Sequence, residues 1–516
     1  MSGRDRVVVS IDPDDHRGPV DRRLFGALVE HMGRCVYTGI FEPEHPMADT
    51  DGFRTDVAEL VEELGVTLVR YPGGNFVSGY DWTDGIGPRE RRPRRLDLAW
   101  RSIETNQVGT DDFLGWTSRL GLEPMLAVNL GTKGVTEAAA LVEYCNLPGG
   151  TEWSDRRRAN GSADPHHVRL WCLGNEMDGP WQLGHTSADR YAEIAAQAAR
   201  AMRMVDPTVE LVACGSSFHA IPTFGSWEST VLERAGDDID FLSMHAYYEE
   251  HDGDRDSFLA SGAAMDSFID AMAATIDAAS ARRRTRRRVH ISFDEWNVWY
   301  QSRFAGAENL PIDVSGPRIE DVYSTVDAVV VGDLLSTLLN HADRVKIACL
   351  AQLVNVIAPI MTEADGPTWR QPTFHPFAAV AANAHGDSLV TRTTAPTLAT
   401  RRHGDVPAVN VAATHDAETA EVAVFLTNRG AEPLTVELRH AGFENWRLRS
   451  VDHLPADDLG PRPHETASTV RLTPLPHHSS TGRSTELTLP ARSWTSLRAG
   501  LEPAADGALN PRDSHR

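Results

Sequence analysis

The chain has 516 residues, of which 41% are hydrophobic and 24% are charged, values typical of a globular protein. This length exceeds what a single hydrophobic core usually supports, so we expect two domains. The net charge of −23 argues against nucleic acid or an anionic membrane surface as a partner, and it suits a neutral substrate.

The amino-terminal residues and the cysteines favour a cytoplasmic location. Residues 1–6 are mostly polar and lead directly into an apolar strand, so we do not interpret them as a secretory signal. No apolar run is long enough to predict a membrane-spanning helix. The five cysteines are scattered and lack the spacing of a zinc site, which favours buried thiols in a reducing compartment. We therefore expect a cytoplasmic protein that needs no metal and no cofactor.

Between about residues 20 and 380, eight apolar strand candidates alternate with amphipathic helical patterns. The strand candidates are residues 25–30, 67–71, 124–130, 168–176, 210–215, 241–247, 289–295 and 346–354. This alternation predicts an α/β fold, a (β/α)8 TIM barrel. A doubly wound sheet is the alternative, but polar residues follow nearly every strand instead of gathering at one switch point.

Three helical stretches carry signals at their ends. The first has apolar residues at helical spacing and is expected to end at Gly65. The second is expected to begin after Ser187, a residue type that caps helix amino termini. The third ends in the arginine-rich residues 282–288, which could suggest nucleic acid binding. In an acidic protein, we interpret this run as a solvated helix carboxyl terminus that the helix dipole favours.

After about residue 383, short alternating β segments appear between turns rich in Asp, Gly, Asn and Pro. The segments are residues 408–414, 419–427, 434–438, 468–472, 484–489 and 495–498. They predict an all-β sandwich, and an early strand at residues 6–11 is expected to join it. The predicted domains are a barrel at 18–382 and a sandwich at 383–500 together with 6–17. Residues 501–516 are polar and are expected to form a disordered tail.

The most informative feature is a pair of glutamates that end apolar strands. Glu176 and Glu295 each end a strand candidate, and tryptophans lie close by at 181, 296 and 299. In (β/α)8 barrels, active-site groups lie at the carboxyl ends of the strands. Two carboxylates there can supply the protonated acid and the ionised nucleophile or base of glycoside hydrolysis. A glutamate after a strand usually begins a solvated loop, but this pair with its aromatic neighbours favours a sugar-cleaving site.

Further polar and aromatic side chains follow the other strands. Amides and carboxylates bind sugar hydroxyls, and aromatic rings pack on the C–H faces of sugars. The candidates for sugar binding are Glu30, Arg70, Asn75, Trp100, Asn175, Trp181, His245, Tyr247, Trp299 and Gln352. Any single member could be structural. Glu30 could pair with Arg34 or Arg70, and the Gly73–Gly74 pair could simply form a turn.

The chain resembles a known family, the α-L-arabinofuranosidases of glycoside hydrolase family 51. The matching segments are EHMGRCVY at 30–37, RYPGGNF at 70–76, WRSIETN at 100–106, GNEMDGPW at 174–181, DEWN at 294–297 and AQLVN at 351–355. The resemblance extends from about residue 6 to 499, and the combination is far more specific than an Asn–Glu pair alone. Two places depart from the family: His375, where an aromatic residue is expected, and residues 303–314, beside the leaving-group side of the pocket.

The resemblance implies a barrel with a jelly-roll sandwich and an exo-acting, retaining enzyme. Such an enzyme releases terminal non-reducing α-L-arabinofuranosyl residues from arabinose-containing oligosaccharides or polysaccharides by double displacement. The resemblance implies Glu176 as the acid/base and Glu295 as the nucleophile. The residues that it implies for holding the terminal arabinofuranose are Glu30, Asn75, Asn175, Tyr247 and Gln352. Family members are often hexamers, so we expect a homo-oligomer, with a hexamer as one candidate.

The charges expected around the two glutamates favour the same roles. Glu295 would lie near Arg70 and Tyr247, which favour an ionised carboxylate through charge and hydrogen bonding. Glu176 would need a raised pKa, supplied in part by the charge of Glu295. Once a sugar is attached to Glu295, that charge is gone. The pKa of Glu176 should then fall, which converts this residue from an acid into a base.

Three other functions compete with this interpretation. An endo-acting glucanase on the same scaffold would need an open cleft in place of a pocket. A non-catalytic carbohydrate-binding protein would have lost Glu176 or Glu295, and both are present. A nucleotide-dependent enzyme would need a glycine-rich phosphate loop, but Asn75 follows the glycine pair where such a loop continues to a lysine. The sequence leaves open whether the substrate derives from arabinan, xylan or a smaller glycoside.

Overall fold

The structure is a computed structural model, and it describes residues 6–456, 460 and 469–501. Its strands, numbered in chain order, are β1 (Arg6–Ser10), β2 (His16–Pro19), β3 (Gly26–Leu28), β4 (Leu68–Tyr71), β5 (Arg95–Leu96), β6 (Ile103–Glu104), β7 (Glu123–Val128), β8 (Leu170–Leu173), β9 (Glu210–Ala213), β10 (Phe241–Tyr248), β11 (His290–Val298), β12 (Val345–Ala351), β13 (Ile360–Thr362), β14 (Thr368–Arg370), β15 (Asp387–Leu389), β16 (Arg392–Thr394), β17 (Thr397–Thr400), β18 (Gly404–Pro407), β19 (Val409–Asp416), β20 (Glu421–Asn428), β21 (Leu434–Arg439), β22 (Trp446–Pro455), β23 (Thr473–Pro474), β24 (His478–Ser480), β25 (Ser484–Leu489) and β26 (Ser493–Leu501).

The helices lie mainly between the strands of the first 383 residues. The α-helices are α1 (Thr55–Leu64), α2 (Thr110–Arg119), α3 (Val135–Asn146), α4 (Glu152–Ala159), α5 (Ala188–Val205), α6 (Ser226–Ala235), α7 (Arg255–Leu259), α8 (Ser261–Arg283), α9 (Thr325–Asn340) and α10 (Phe374–Asn383). The short 3-10 helices are Arg22–Phe25, Asn75–Gly79, Trp82–Gly85, Arg89–Arg91, Gln301–Arg303 and Ala307–Asn309.

Eight parallel strands close into a barrel. Their order is β3, β4, β7, β8, β9, β10, β11 and β12, and β12 pairs back with β3. The closure is tight, because a Cβ atom at Gly26 would lie 2.7 Å from the carbonyl oxygen of Ala348. The predicted (β/α)8 barrel is therefore confirmed, and a doubly wound sheet, which would be open at both edges, is excluded.

The ends of three barrel strands differ from the prediction. Strand β3 ends at Leu28 and β8 ends at Leu173, so Glu30 and Glu176 lie in the loops beyond these strands. Strand β11 continues to Val298, so Glu295 lies within the strand. The apolar runs correctly located the strands, but hydrophobicity alone does not fix where hydrogen-bonded pairing stops.

The three helix ends marked in the sequence are found as predicted. Helix α1 ends before Gly65, which has a left-handed φ of 79° and donates its N–H to the carbonyl of Glu62. The Ser187 side chain accepts from the backbone N–H of Arg190 at the start of α5. Helix α8 ends at Arg283, at the start of the arginine run, and Arg283 forms an ion pair of 2.5 Å with Asp237.

The carboxyl-terminal strands form two facing sheets. One has the order β16, β1, β21, β25 and β24, and the other has the order β2, β15, β19, β20, β26, β22 and β23. Their inner faces share one apolar core, to which Val7, Val436 and Leu487 contribute from one sheet and Val424 and Leu497 from the other. The predicted all-β sandwich is confirmed, and β1 lies within it, parallel to β21.

Most of the predicted sandwich strands are present, with one error. Segments 408–414, 419–427, 434–438, 484–489 and 495–498 correspond to β19, β20, β21, β25 and part of β26. The predicted strand at 468–472 is wrong, because the nearest strand, β23, begins at Thr473, and Ser468 lies outside the described residues. The predicted tail also lies outside them, apart from Leu501 at the end of β26.

Helix α9 joins the barrel to the sandwich. Asp333 of this helix forms a buried ion pair with Arg429, with 2.8 Å between carboxylate and guanidinium atoms. Gly332 lies against the ring of Trp494, so closely that a Cβ atom there would be 2.3 Å from the ring. The two parts of the chain therefore share a packed, charged interface, while the exact domain boundary near residue 382 stays a prediction.

All five cysteines are buried and none forms a disulfide. Burial raises the pKa of Cys35 and of Cys214 to about 12, so these thiols are neutral near pH 7. Within the described ranges, no helix combines the length and apolar character needed to cross a membrane.

Candidate active site

Two glutamates face each other at the carboxyl ends of the barrel strands. Glu295 projects from β11, and Glu176 lies three residues beyond the end of β8. An oxygen of each carboxyl group and a ring nitrogen of His245 all lie within 4.8 Å of one another. Both glutamates are buried. The two carboxyl groups are therefore close enough to act on opposite sides of a single bond in a bound sugar.

Glu295 accepts two strong hydrogen bonds. Arg70, from β4, donates from Nη1 to Oε1 at 2.8 Å, and the Tyr247 hydroxyl donates to Oε2 at 2.7 Å. Burial, followed by the charge of Glu295, raises the pKa of Tyr247 well above its usual value, so this hydroxyl remains a donor. The positive charge and the two donors stabilise Glu295 as a carboxylate.

Glu176 occupies a different environment. It accepts from the indole N–H of Trp181 at 2.7 Å and is bonded to Nδ1 of His245 at 2.9 Å. Burial raises the pKa of Glu176; the hydrogen bond with His245 opposes this shift, and the charge of Glu295 reinforces it. The backbone of Glu176 also has a positive φ of 43°, which is uncommon for residues other than glycine.

His245 connects the two glutamates to a third carboxylate, Asp294. Its Nε2 lies 3.0 Å from Asp294, and its Nδ1 lies 3.5 Å from Glu295. Burial by itself would lower the pKa of His245, but the charge of Glu295 and the hydrogen bond to Asp294 hold it well above its usual value. Burial would raise the pKa of Asp294, but the charge of Arg70 together with the hydrogen bond and charge of His245 lowers it below its usual value. A protonated ring therefore donates from Nε2 to the carboxylate of Asp294 and from Nδ1 to an oxygen of the Glu176 carboxyl group.

Glu30 is held by three donors at the inner end of the site. Its Oε1 accepts from the backbone N–H of Phe76 and the indole N–H of Trp100, both at 2.9 Å. Its Oε2 accepts from Nε2 of Gln352 at 3.1 Å. Burial, followed by the charge of Glu295, raises the pKa of Glu30 to about 8.

The alternative partners considered for Glu30 are engaged elsewhere. Arg34 forms an ion pair with Glu320 at 2.8 Å, and Arg70 binds Glu295 and the Oδ1 atom of Asn175. The interpretation of Glu30 as half of a structural ion pair is therefore wrong.

The Gly73–Gly74 pair does more than form a turn. A Cβ atom at Gly73, whose φ is 149°, would lie 2.4 Å from Cγ of Glu30. A Cβ atom at Gly74 would lie 2.9 Å from Oε2 of Glu30 and 3.2 Å from Oε1 of Glu295. The backbone thus approaches both carboxylates so closely that a side chain at either position would displace them.

Amide and aromatic groups complete the walls. Asn175 donates from Nδ2 to Oδ1 of Asn75 at 3.4 Å. The Trp299 ring meets Tyr247 edge to face, with 5.0 Å between ring centroids, and Phe304 lies between Trp299 and Trp100. The structure therefore brings together all the predicted site residues, which are Glu30, Arg70, Asn75, Trp100, Asn175, Glu176, Trp181, His245, Tyr247, Glu295, Trp299 and Gln352.

Asp294 and Phe304 are part of the site and were not predicted. Neighbouring residues of a regular strand point to opposite faces, so Asp294 and Glu295 would not be expected to share a site. The pairing of β11 with β10 and with β12 is irregular at this point, and both side chains reach His245. Phe304 comes from the unusual segment 303–314, whose Asp313 carbonyl accepts from the N–H of Ile103 at 2.8 Å.

Glu176, His245 and Glu295 are also a group of side chains that could hold a metal ion. This grouping is not apparent from ligand spacing along the sequence, because Glu176 follows β8, His245 lies in β10 and Glu295 lies in β11. The absence of a metal requirement stays a prediction. It is supported by His245 and Arg70, which already place positive charge next to the carboxylates.

The fold and the site together define a class of protein. The glutamates lie at the carboxyl ends of the strands of a (β/α)8 barrel, and amides and aromatic rings surround them. Carboxyl groups about 5–5.5 Å apart are typical of retaining glycosidases, whereas inverting enzymes separate them by about 6.5–9.5 Å. Carboxyl oxygens that lie within 4.8 Å of each other fit the retaining arrangement better than the inverting one, and the fold and the site together are those of a glycoside hydrolase.

Comparisons with known proteins agree with this class. Two family models match: "Alpha-L-arabinofuranosidase 1 domain" over residues 60–264 and "Alpha-L-arabinofuranosidase C-terminal domain" over residues 294–493. A protein of Streptomyces lividans named intracellular exo-α-(1→5)-L-arabinofuranosidase is 52% identical, over 96% of this chain and 75% of that protein. An exo-α-(1→6)-L-arabinofuranosidase of Bifidobacterium longum is also 52% identical, over 94% of this chain and 96% of that protein.

A solved structure extends the similarity to the whole fold. A family 51 α-L-arabinofuranosidase from Bifidobacterium longum has a TM-score of 0.92 and 45% identity, over 95% of this chain and 99% of that chain. The chain therefore belongs to the α-L-arabinofuranosidases of glycoside hydrolase family 51, and the resemblance found in the sequence is confirmed.

Proposed function

We propose that this protein releases terminal non-reducing α-L-arabinofuranosyl residues by double displacement, with Glu295 as nucleophile and Glu176 as acid/base. The observation that carries the proposal is the pair of buried carboxyl groups within 4.8 Å, held in different environments. Arg70 and Tyr247 favour a carboxylate at Glu295, while burial favours a protonated Glu176. One group can thus attack while the other donates a proton.

In the first step, a carboxylate oxygen of Glu295 attacks the anomeric carbon of the arabinofuranosyl unit. The bond to the leaving oxygen breaks as Glu176 donates its proton to that oxygen. The leaving group departs as an alcohol, and the sugar remains as an ester of Glu295. The hydrogen bonds of Arg70 and Tyr247 keep the attacking carboxylate in a fixed orientation.

In the second step, water replaces the leaving group. Attachment of the sugar removes the negative charge of Glu295, which is one of the causes that raise the pKa of Glu176. The pKa of Glu176 then falls, and the deprotonated residue can accept a proton from the attacking water. Water attacks the anomeric carbon, the ester bond to Glu295 breaks, and the second inversion restores the original configuration.

His245 fits a positioning role better than the sugar-binding role predicted for it. Both of its ring nitrogens face carboxyl groups, Nδ1 towards Glu176 and Nε2 towards Asp294. Neither nitrogen is therefore left over for a sugar hydroxyl. A cation at this point fixes the orientation of Glu176 and limits how far burial raises its pKa.

The inner end of the site supports exo action on a single sugar. Glu30, Trp100 and Gln352 are buried, and Trp100 and Gln352 each donate a hydrogen bond to Glu30, which lies beside Glu295. An endo-acting enzyme needs an open cleft that lets the sugar chain continue on both sides. This buried, hydrogen-bonded cluster supports a pocket for one terminal residue, whose hydroxyls would bind Glu30, Asn75, Asn175 and Gln352.

We further propose that the protein acts in the cytoplasm as a homo-oligomer, with a hexamer as one candidate, on arabinose-containing saccharides such as those derived from arabinan. The Streptomyces relative is named intracellular, and all five thiols are buried and reduced here.

Four apolar side chains support self-association, because they are exposed on two segments joined by backbone pairing: Leu96, Leu98, Ile312 and Val314. Light scattering of the purified protein measures the oligomeric state directly.

The test of the proposed function is a panel of p-nitrophenyl furanosides and pyranosides, followed by NMR of the first sugar released. We expect hydrolysis of the α-L-arabinofuranoside with retention of configuration. Pyranosides should be hydrolysed far more slowly, because they leave buried polar groups of the pocket unpaired. Initial release of the inverted anomer would contradict the mechanism, and a preference for pyranosides would contradict the substrate.

A further inference from the structure

Two aromatic rings are exposed side by side at the rim of the active site. Trp181 is 48% exposed and Phe218 is 39% exposed, and their rings are stacked with 6.1 Å between centroids and an angle of 29°. Trp181 follows β8 and Phe218 follows β9, so the pair bridges two adjacent loops of the barrel. A stacked pair of exposed rings forms a continuous apolar surface, and contiguous surfaces of this kind often mark ligand-binding sites.

This surface begins at the proposed acid. The indole N–H of Trp181 donates to Oε2 of Glu176 at 2.7 Å. The backbone of Gly179 lies directly against the indole, where a Cβ atom would be 2.5 Å from the ring. The Trp181 ring is therefore fixed beside the carboxyl group that is proposed to protonate the leaving group.

The loop that carries Phe218 is anchored on both sides of this residue. Ser217 donates from its N–H to Asp178 at 3.0 Å and also from its hydroxyl, which ties the loop to the one after β8. His219 stacks on Phe268 with 4.7 Å between ring centroids. Phe218 is therefore presented to solvent by a fixed backbone, which lowers the entropy lost when a ligand packs against it.

We infer that Phe218, together with Trp181, forms a subsite for the leaving group and that Phe218 binds sugar units beyond the first. The inference rests on the proposed function, because it takes its direction from Glu176. The glycosidic oxygen must lie beside Glu176 to receive its proton, so the leaving group extends from there across Trp181 towards Phe218. The occupant is the remaining chain of an oligosaccharide, whose C–H faces pack on aromatic rings.

The experiment compares a leaving group that cannot reach Phe218 with one that can. The substrates are α-L-arabinofuranosyl fluoride, whose leaving group is one atom, and α-(1→5)-linked arabinotriose. For Phe218→Ala, we expect kcat/KM on arabinotriose to fall about three- to tenfold, the range for loss of one aromatic contact. Its kcat/KM on the fluoride should not change. Phe218→Tyr keeps the aromatic face and should behave like the unchanged protein.

The matched control is Met204→Ala, which removes another exposed apolar side chain, 87% exposed on α5. This variant should leave kcat/KM unchanged on both substrates. Equal losses on the fluoride and on arabinotriose in Phe218→Ala would indicate a structural role and overturn the inference, as would no loss on either. If the unchanged protein hydrolyses neither substrate, the proposed function fails instead. The subsite is then judged by tryptophan fluorescence titration with arabinotriose, whose binding Phe218→Ala must weaken.

Discussion

At the scale of single residues, the structure makes the roles of the two glutamates separable by experiment. Glu295→Ala removes the attacking oxygen, so we expect hydrolysis of every substrate to fall at least about a thousandfold. Added azide could at most take the place of the nucleophile and give a glycosyl azide of inverted configuration. Product analysis by NMR after incubation with azide measures this outcome.

Glu176→Ala should behave differently. It should retain activity on aryl glycosides with good leaving groups, since these need little protonation, and lose about a hundred- to ten-thousandfold on poor ones. Azide should then speed the second step and give a product of retained configuration, because azide needs no general base. If the two variants show the reverse pattern, the roles assigned to Glu176 and Glu295 are exchanged.

The variant Glu30→Gln tests whether the pocket recognises a furanose. The two oxygens of Glu30 accept three hydrogen bonds, and an amide has only one acceptor oxygen. In Glu30→Gln, at least one donor of Phe76, Trp100 or Gln352 would lose its acceptor. We expect kcat/KM on an arabinofuranoside to fall about tenfold or more, with the fold intact by circular dichroism. A folded variant with unchanged kcat/KM would remove Glu30 from the pocket.

Replacing His245 should change the pH dependence of kcat/KM. Its hydrogen bond and its charge lower the pKa of Glu176, in opposition to burial. In His245→Gln that influence is lost, so the pKa of Glu176 rises and the proton is retained to higher pH. We expect the basic limb of the kcat/KM profile to move to higher pH, with a lower maximum because Glu176 is less well oriented. A basic limb that stays in place would show that His245 does not act on Glu176.

The convergence of the site was predictable from residue types, and its finer contacts were not. Glu30, Arg70 and Gln352 were found because polar residues at or just beyond the carboxyl ends of the strands of one barrel must meet at one end. Asp294 was missed because its inward position depends on irregular pairing of β11, which leaves no mark in the sequence. Phe218 was missed because a single aromatic residue in a loop carries no periodic signal.

At the scale of secondary-structure elements, α9 is the main link between barrel and sandwich, and its buried ion pair should be important for stability. Asp333→Ala leaves the guanidinium of Arg429 buried without its partner. We expect the free energy of unfolding to fall by about 3–5 kcal/mol, measured by denaturant titration. The control is Glu233→Ala, which breaks an exposed ion pair with Arg282 and should cost about 0–1 kcal/mol. Equal losses in both variants would contradict a special role for Asp333.

The elements predicted well are those with strong hydrophobic patterns. All eight barrel strands were located because buried parallel strands are apolar on both faces. Strand β22 was missed because half of it faces solvent and its alternation is interrupted by charged residues. Short strands such as β15 and β23 were missed because two or three residues cannot establish a period.

At the scale of the whole molecule, a metal requirement can be tested directly. We expect full activity after exhaustive EDTA treatment and dialysis, because Arg70 and His245 already neutralise the carboxylates of the site. Metal content measured by mass spectrometry before and after treatment shows whether an ion was removed. Activity that is lost with EDTA and restored by a divalent ion would contradict this prediction, and Glu176, His245 and Glu295 would be its first candidate ligands.

The position of β1 has a consequence for how the chain folds during synthesis. Strand β1 pairs with β16 and with β21, which ends at Arg439. At about 5–20 residues per second, roughly 20 to 90 seconds separate the appearance of β1 from that of β21 on the ribosome. Every strand of the barrel is made within this interval. The barrel can therefore close before β21 is available to pair with β1. An apolar strand that stays unpaired for this time is prone to aggregation, so we expect a chaperone to bind it during synthesis.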